Sequence, residues 1–213
     1  MTMIKNFDIK CAMCDHTSSQ RVLMSTNSWG YADLDFRPAE MQRSTMGVWV
    51  MECPNCGYVA SYLDKETELS EDFIKSEEYK TCGGIGFESE LAQRFYRKYL
   101  ISAELDMPYI AFLDILHCAW ACDDEKDTEN ARLARKIASD LADILIKSEH
   151  EDKITIVLIR ADLLRRSGEF ERLISEYESV TLNEDIPNRA IRFHIEKAMD
   201  KDDGCYTFEE FAE

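Results

Sequence analysis

Two Cys-x-x-Cys pairs, Cys11/Cys14 and Cys53/Cys56, constrain this chain more than anything else in it. A turn that holds two thiolates around a metal needs a short bend whose backbone N–H groups face the sulfurs. Pro54 pre-bends the second pair, and Gly57, directly after Cys56, lets the chain leave with positive φ. Two such corners bring four thiolates to one tetrahedral site, the closed arrangement of structural zinc. The spacing therefore predicts one Zn²⁺ per chain on Cys11, Cys14, Cys53 and Cys56.

Short β-branched and aromatic runs flank both pairs: Phe7–Lys10 and Arg21–Met24 around the first, Gly47–Glu52 and Tyr58–Tyr62 around the second. Two hairpins whose tips share a metal describe a zinc ribbon. The 38 residues between Cys14 and Cys53 exceed the usual gap of roughly 15–20, which predicts an insertion over residues 25–46. A unit this small buries too little apolar surface to fold without its metal.

The insertion is dense in aromatic and charged residues. Trp29, Tyr31, Asp33, Asp35, Arg37 and Arg43 form a candidate interaction loop. The competing reading is an ordered cover for the hairpins, in which Asp35 and Arg37 satisfy backbone groups or each other; loops of mixed charge usually close on themselves.

From Ser70 onward the apolar period changes from two to 3.6. Ser70 caps a short helix running to about Lys80. Thr81–Gly86 is a plain turn rather than a phosphate loop, since no Lys-Ser/Thr follows its glycines. Helices are expected over Glu88–Glu104, Pro108–Ala121, Thr128–Lys147, Asp152–Arg166, Glu169–Val180 and Pro187–Asp200. Ala161, Leu164, Gly168, Phe170, Leu173, Tyr177 and Val180 fall at the packing positions of a tetratricopeptide helix pair. The expected fold is α+β and mostly α. A small four-cysteine zinc ribbon (1–68, with the inserted loop 25–46) precedes a tetratricopeptide-like helical-hairpin array (69–213), against the alternative of an ordinary helical bundle.

Charge narrows the partners. With 25 basic and 42 acidic residues the chain carries a formal net charge of −17. Residues 1–62 are nearly neutral, so about −16 falls on the helical part, and no basic tract exists anywhere. That balance repels nucleic acid and anionic membranes and favours basic protein or peptide ligands. No run is apolar enough to span a bilayer and no secretory segment leads the sequence, so the expected location is the cytoplasm, where thiols stay reduced.

No known catalytic pattern is present, and a closed four-sulfur site keeps no open position for water. His117, Cys118 and Cys122 share one helix; they read as core residues before they read as a second metal site or a redox pair. His16 stands two residues after Cys14 and could replace a thiolate, but four thiolates already close the site. Cys82, Cys205, His150 and His194 receive no role.

Asp33-Leu34-Asp35-Phe36-Arg37-Pro38, then Cys53-Pro54-Asn55-Cys56-Gly57-Tyr58, then a helical tail resemble a bacterial cytosolic family of unknown function. Its members join an N-terminal zinc ribbon to tetratricopeptide-like helices. The resemblance implies zinc on Cys11, Cys14, Cys53 and Cys56 and implies no established activity. The expected role is a non-catalytic, zinc-containing interaction or scaffold module. The alternatives are a thiol-based redox or metal sensor using the Cys-x-x-Cys corners, and an enzyme whose site lies between ribbon and helices.

Overall fold

The computed structural model describes residues 1–148 and 150–212. The fold is α+β and mostly helical, with two small antiparallel sheets. Strands β1 (Met3–Lys10) and β2 (Thr17–Ser25) form a long hairpin closed by the first Cys-x-x-Cys turn. Strands β3 (Met51–Glu52) and β4 (Val59–Ala60) form a much shorter one around the second. The run Gly47–Glu52, expected to be extended, is extended only at its end, because a 3-10 helix occupies Arg43–Val48. Local polar groups decide this: Thr45 Oγ1 donates to Gln42 O at 2.7 Å, and Trp49 Nε1 donates to Thr45 Oγ1 at 2.9 Å. Those bonds offer the backbone an alternative to a ladder.

The single short helix expected over 70–80 is two, α1 (Glu71–Lys75) and α2 (Glu77–Lys80). Ser76 divides them with an extended backbone, and its Oγ accepts from Tyr79 N, capping α2. The larger helices follow: α3 (Glu90–Glu104), α4 (Pro108–Asp124), α5 (Thr128–Lys147), α6 (Lys153–Arg166), α7 (Phe170–Tyr177) and α8 (Asp185–Met199). Each packs on the next from α3 to α8, α6 also meets α8, and α9 (Phe208–Ala212) ends the described chain. None of the described helices is long and apolar enough to cross a membrane.

Three corners between these helices are built alike. After α3, Asp106 N donates to Ala103 O and Met107 N to Ser102 O. After α4, Lys126 N donates to Asp123 O and Asp127 N to Cys122 O. After α6, Gly168 N donates to Arg165 O and Glu169 N to Leu164 O. This is the Schellman pattern, which satisfies carbonyls a helix end would leave orphaned. In each corner the residue that completes the pattern is also the N-cap residue of the next helix, with a side-chain cap only at Asp127, so the links are just residues 105–107, 125–127 and 167–169. The pattern recurs after α8, where Lys201 N reaches Ala198 O and Asp202 N reaches Lys197 O. The left-handed residue it requires is glycine only once, at Gly168 (φ 81°); Asp106, Lys126 and Lys201 hold φ of 52°, 61° and 54°.

Helix α6 sits at the centre. Residues Ile156–Arg165 are buried without interruption. Ile156, Ile159 and Leu163 join an apolar cluster that also contains Cys11, Cys53, Phe95, Leu116 and Trp120. Val157, Leu158, Ala161 and Leu164 join a second cluster with Leu173, Tyr177 and Ile191. A helix that is apolar on opposite sides has a core on each. The first cluster runs without a break from the cysteine-bearing hairpins into the helices.

An L-residue in the left-handed region is strained by roughly 1–2 kcal/mol, part of which glycine returns through its looser unfolded chain. Lys126 is exposed and makes no ion pair among the described residues. Lys126→Gly should therefore stabilise the protein by about 0.5 kcal/mol and Gly168→Ala should destabilise it by about 1 kcal/mol. Chemical denaturation of the two variants reads both, and equal or reversed shifts would contradict the corner geometry.

Candidate metal centre and the charged network beside it

The two cysteine turns are geometric copies of one another. Cys11 N donates to His16 O at 2.9 Å and Asp15 N to Cys11 O at 2.9 Å; Cys53 N donates to Tyr58 O and Gly57 N to Cys53 O at the same distances. Gly57 takes the left-handed conformation expected of it, with φ 76°. Asp15 does so at the first corner, with φ 59°, a position that composition did not reveal.

This duplication brings the four sulfurs together. Cys11 Sγ lies 3.8 Å from Cys56 Sγ, Cys14 Sγ lies 3.6 Å from Cys53 Sγ, and all four are within 4.8 Å of one another. Thiolates about 2.3 Å from a tetrahedral ion stand roughly 3.8 Å apart, so the cluster has the dimensions to hold a metal ion. His16 is not part of it. Cys11 and Cys53 are buried, while Cys14 and Cys56 are partly exposed.

The donors around the sulfurs also suit anionic ligands. Asn55 Nδ2 donates to Cys14 Sγ at 3.4 Å. Burial opposes ionisation of Cys14, but the hydrogen bonds from Asn55 and the His16 backbone outweigh it and bring its pKa down to about 7. Burial raises Cys11, against hydrogen bonds from the backbone of Met13 and Cys14. Burial and the neighbouring cysteines raise Cys56. Four sulfurs in contact cannot all carry charge unaided, and a bound cation removes that conflict.

The helices hold the second corner from behind. Gly57 O accepts from Tyr79 Oη of α2 at 2.8 Å and from Arg97 NH1 of α3 at 3.5 Å, and Arg97 also pairs with Glu52 at 2.8 Å. Ala12 N donates to Leu63 O at 2.8 Å, tying the first corner to the turn that follows β4.

The six residues of the candidate interaction loop divide into two groups. Trp29 and Tyr31 are 81% and 55% exposed. Trp29 stands on an arch closed by a bridge to Glu40, with Gly30 at φ 97°. The four charged residues turn inward. Asp33, Asp35 and Arg37 are buried and Arg43 is half-buried. Asp35, with no exposed surface, accepts from Arg37 N at 3.2 Å, Trp120 Nε1 at 2.7 Å and Arg166 NH1 at 3.1 Å. Arg37 pairs with Asp124 at 2.7 Å and Arg43 with Asp33 at 2.5 Å.

These contacts open into a larger network on α4, α5 and α6. Asp123 accepts from Arg135 and from Arg166 NH2, the latter at 2.9 Å, and Arg165 pairs with Asp162 at 2.6 Å. Arg165 also donates to Asp202 O and Gly204 O, fastening the segment after α8, and its Nε faces His194 Nδ1 at 3.3 Å. That segment returns to the insertion. Leu34 N donates to Tyr206 O, Phe208 N donates to Ala32 O, and the Phe36 and Phe208 rings meet edge to face at 5.1 Å. Five aspartates (33, 35, 123, 124, 162) thus face five arginines (37, 43, 135, 165, 166), a balanced set. Only the Asp35 and Arg37 end of this set was anticipated. In sequence, a paired Asp or Arg looks the same as a solvated one. The one visible trace is the placement of Arg160, Asp162 and Arg165 inside the otherwise apolar run of α6.

Burial raises Asp35, opposed chiefly by Arg166. Burial also works against ionisation of Asp123 and Asp162, but there the arginines prevail, Arg135 and Arg166 at Asp123, Arg165 and Arg166 at Asp162, and both carboxyls lie below the usual range. Cys118 and Cys122 are core residues with no exposed surface, and Cys118 Sγ points to Ala92 O at 3.4 Å. His117 lies among Trp49, Phe95 and Trp120, and burial lowers its pKa to about 3. Burial likewise brings His194 to about 4. Cys205 is exposed beside the network, and desolvation by the surrounding atoms together with the nearby aspartates pushes its thiol pKa up.

No known family, curated protein or solved structure matches the chain.

Two outcomes follow from this geometry. Purified protein should carry one metal ion per chain by elemental analysis, and Cys53→Ser/Cys56→Ser should lose it together with the ordered hairpins. Retained order without metal would contradict the centre. The second concerns pH. A histidine whose folded pKa is depressed binds its proton on unfolding, so its stabilising contribution is whole above the unfolded value near 6.5 and falls away below it. Asp123 and Asp162, with depressed pKa values, add their loss only below about 4. Urea melts should show stability declining from about pH 6.5 downward, and His117→Phe should flatten that limb between about pH 6.5 and 4. An unchanged slope in the variant would show that His117 is not held neutral.

Proposed function

We propose that this chain is a zinc-containing protein-interaction or scaffold module with no catalytic role of its own. In this reading the four cysteines hold structural Zn²⁺ at the tips of a ribbon, and the ribbon is fixed to a tetratricopeptide-like array of helical hairpins. The repeated three-residue corners support the array, since arrays of this kind reuse one joint. The duplicated turn geometry and sulfur spacing support the ribbon and its zinc.

One observation carries the functional part. The loop commits four of its five charged side chains to internal pairs and leaves its two largest aromatics in solvent. Exposing Trp29 and Tyr31 forgoes the burial of apolar surface, and tryptophan and tyrosine are the residues that most often anchor protein contacts. The arch that displays them is pinned from beneath by Asp33 and Asp35, so little ordering would be needed on binding. With a net charge of −17, the partner is a protein or peptide that offers cationic residues to these rings.

The test is affinity capture from a cytoplasmic extract at several salt concentrations, with Trp29→Ala/Tyr31→Ala as the comparison. A salt-sensitive partner retained by the parent and lost by the variant, with helical content and metal stoichiometry unchanged, supports the reading. Equal capture by both chains removes the loop from it.

A further inference from the structure

The joint of α5, α6 and α7 contains a cavity of about 340 Å³ that none of the preceding assignments uses. Its wall is apolar, formed by Ile146, Val157, Tyr177, Val180 and Leu182. The size lies near the lower end for small-molecule sites. A cavity of roughly 150 Å³ takes a benzene ring, so this one accommodates about ten non-hydrogen atoms.

Four charged residues complete the lining, and their hydrogen bonding is uneven. Arg160, whose side chain is only 4% exposed, gives its NH2 to Glu176 at 2.5 Å and Asp143 at 3.1 Å, while NH1 reaches Tyr177 Oη at 3.4 Å. Its Nε is buried and has no acceptor. Lys153 makes no ion pair among the described residues. Both carboxylates, by contrast, are shared with a second cation, Asp143 with Lys147 and Glu176 with Arg172. Each carboxylate is thus already matched by two cations, and Lys153 is the lining cation with no carboxylate partner among the described residues. A ligand carboxylate in the cavity would supply Lys153 with a charge-assisted bond.

We propose that this cavity is a binding site for a small monocarboxylate with an aliphatic or aromatic body, about ten non-hydrogen atoms in all. The body lies against Val157, Val180 and Leu182, and the carboxylate pairs with the exposed Lys153. The site is separate from the loop at Trp29 and from the cysteine cluster, and it stands or falls independently of both.

Octanoate and its uncharged counterpart octanamide serve as probes, titrated into the full metal-loaded chain by calorimetry and by backbone amide shifts. Octanoate should bind saturably, with shifts concentrated at Val157, Tyr177 and Val180, and octanamide should bind at least about tenfold more weakly, the contribution of one charge-assisted bond. Val180→Trp fills the space and should abolish binding of both probes with metal content unchanged. Lys153→Met, at an exposed position, should weaken octanoate severalfold and leave octanamide unaltered, which keeps the test decisive if Val180→Trp does not fold. The proposal is overturned by non-saturable octanoate titration, by octanamide binding as tightly as octanoate, by shifts confined to other surfaces, or by normal binding to a folded Val180→Trp. An apolar side chain of a protein partner as the true occupant would appear as the first of these results.

Discussion

The carboxylate of Asp35 has no exposed surface, and much of the structure is arranged to make that tolerable. Taking a carboxylate out of water costs several kcal/mol unless its oxygens are bonded and its charge is matched. Its partners come from three places: Arg37 N in the same loop, Trp120 on α4 and Arg166 on α6. Arg166 in turn needs Asp123, and Asp123 is shared with Arg135 of α5. Moving any of these helices would leave an uncompensated buried charge, which destabilises far more than the intact pair stabilises. The insertion is thus a structural element of the helical body, though it lies between the two cysteine turns in sequence.

The cysteine turns and the helices depend on each other by the same logic. Gly57 O, at the second corner, is held by Tyr79 and Arg97, and Cys11 and Cys53 belong to the apolar cluster that contains Phe95 and Trp120. A metal ion between the four sulfurs would close the far side of a core whose near side is helical. Structural metal sites usually stand in for a core too small to hold itself. Here the helices supply that core, and the ion would fix the relative placement of the two hairpins.

What the sequence makes legible follows from what leaves a local trace. Cys-x-x-Cys spacing does, and it located the cluster. Helical periodicity does, and it located α3 to α8 to within a few residues. Gly168 marked one corner, but Asp106, Lys126 and Lys201 hold the same left-handed conformation in residues that read as ordinary surface, so the repetition was invisible. Asp15 hid the equivalence of the two cysteine turns in the same way. Ser76 is an N-cap signal inside what reads as one helix, and its side chain decided the break. The charged network left almost nothing to read, because pairing is a property of distance in space. Asp35 and Arg166 are 131 positions apart.

The segment that completes the insertion comes very late in the chain. Leu34 bonds to Tyr206, Ala32 to Phe208, and Asp33 bridges to Thr207, about 170 residues away. During synthesis the cysteine turns and every helix through α8 are polymerised before those partners are. Until then Phe36 lacks its neighbouring ring, and Arg165 lacks the two carbonyls it finally grips. A nascent chain stalled before residue 202 would hold this loop half-assembled, with a buried aspartate waiting for its cover. Closing a loop of that length is entropically slow. The segment after α8 therefore sets when the insertion is complete, and the Trp29 arch gains its full support only once residues 202–208 have been added.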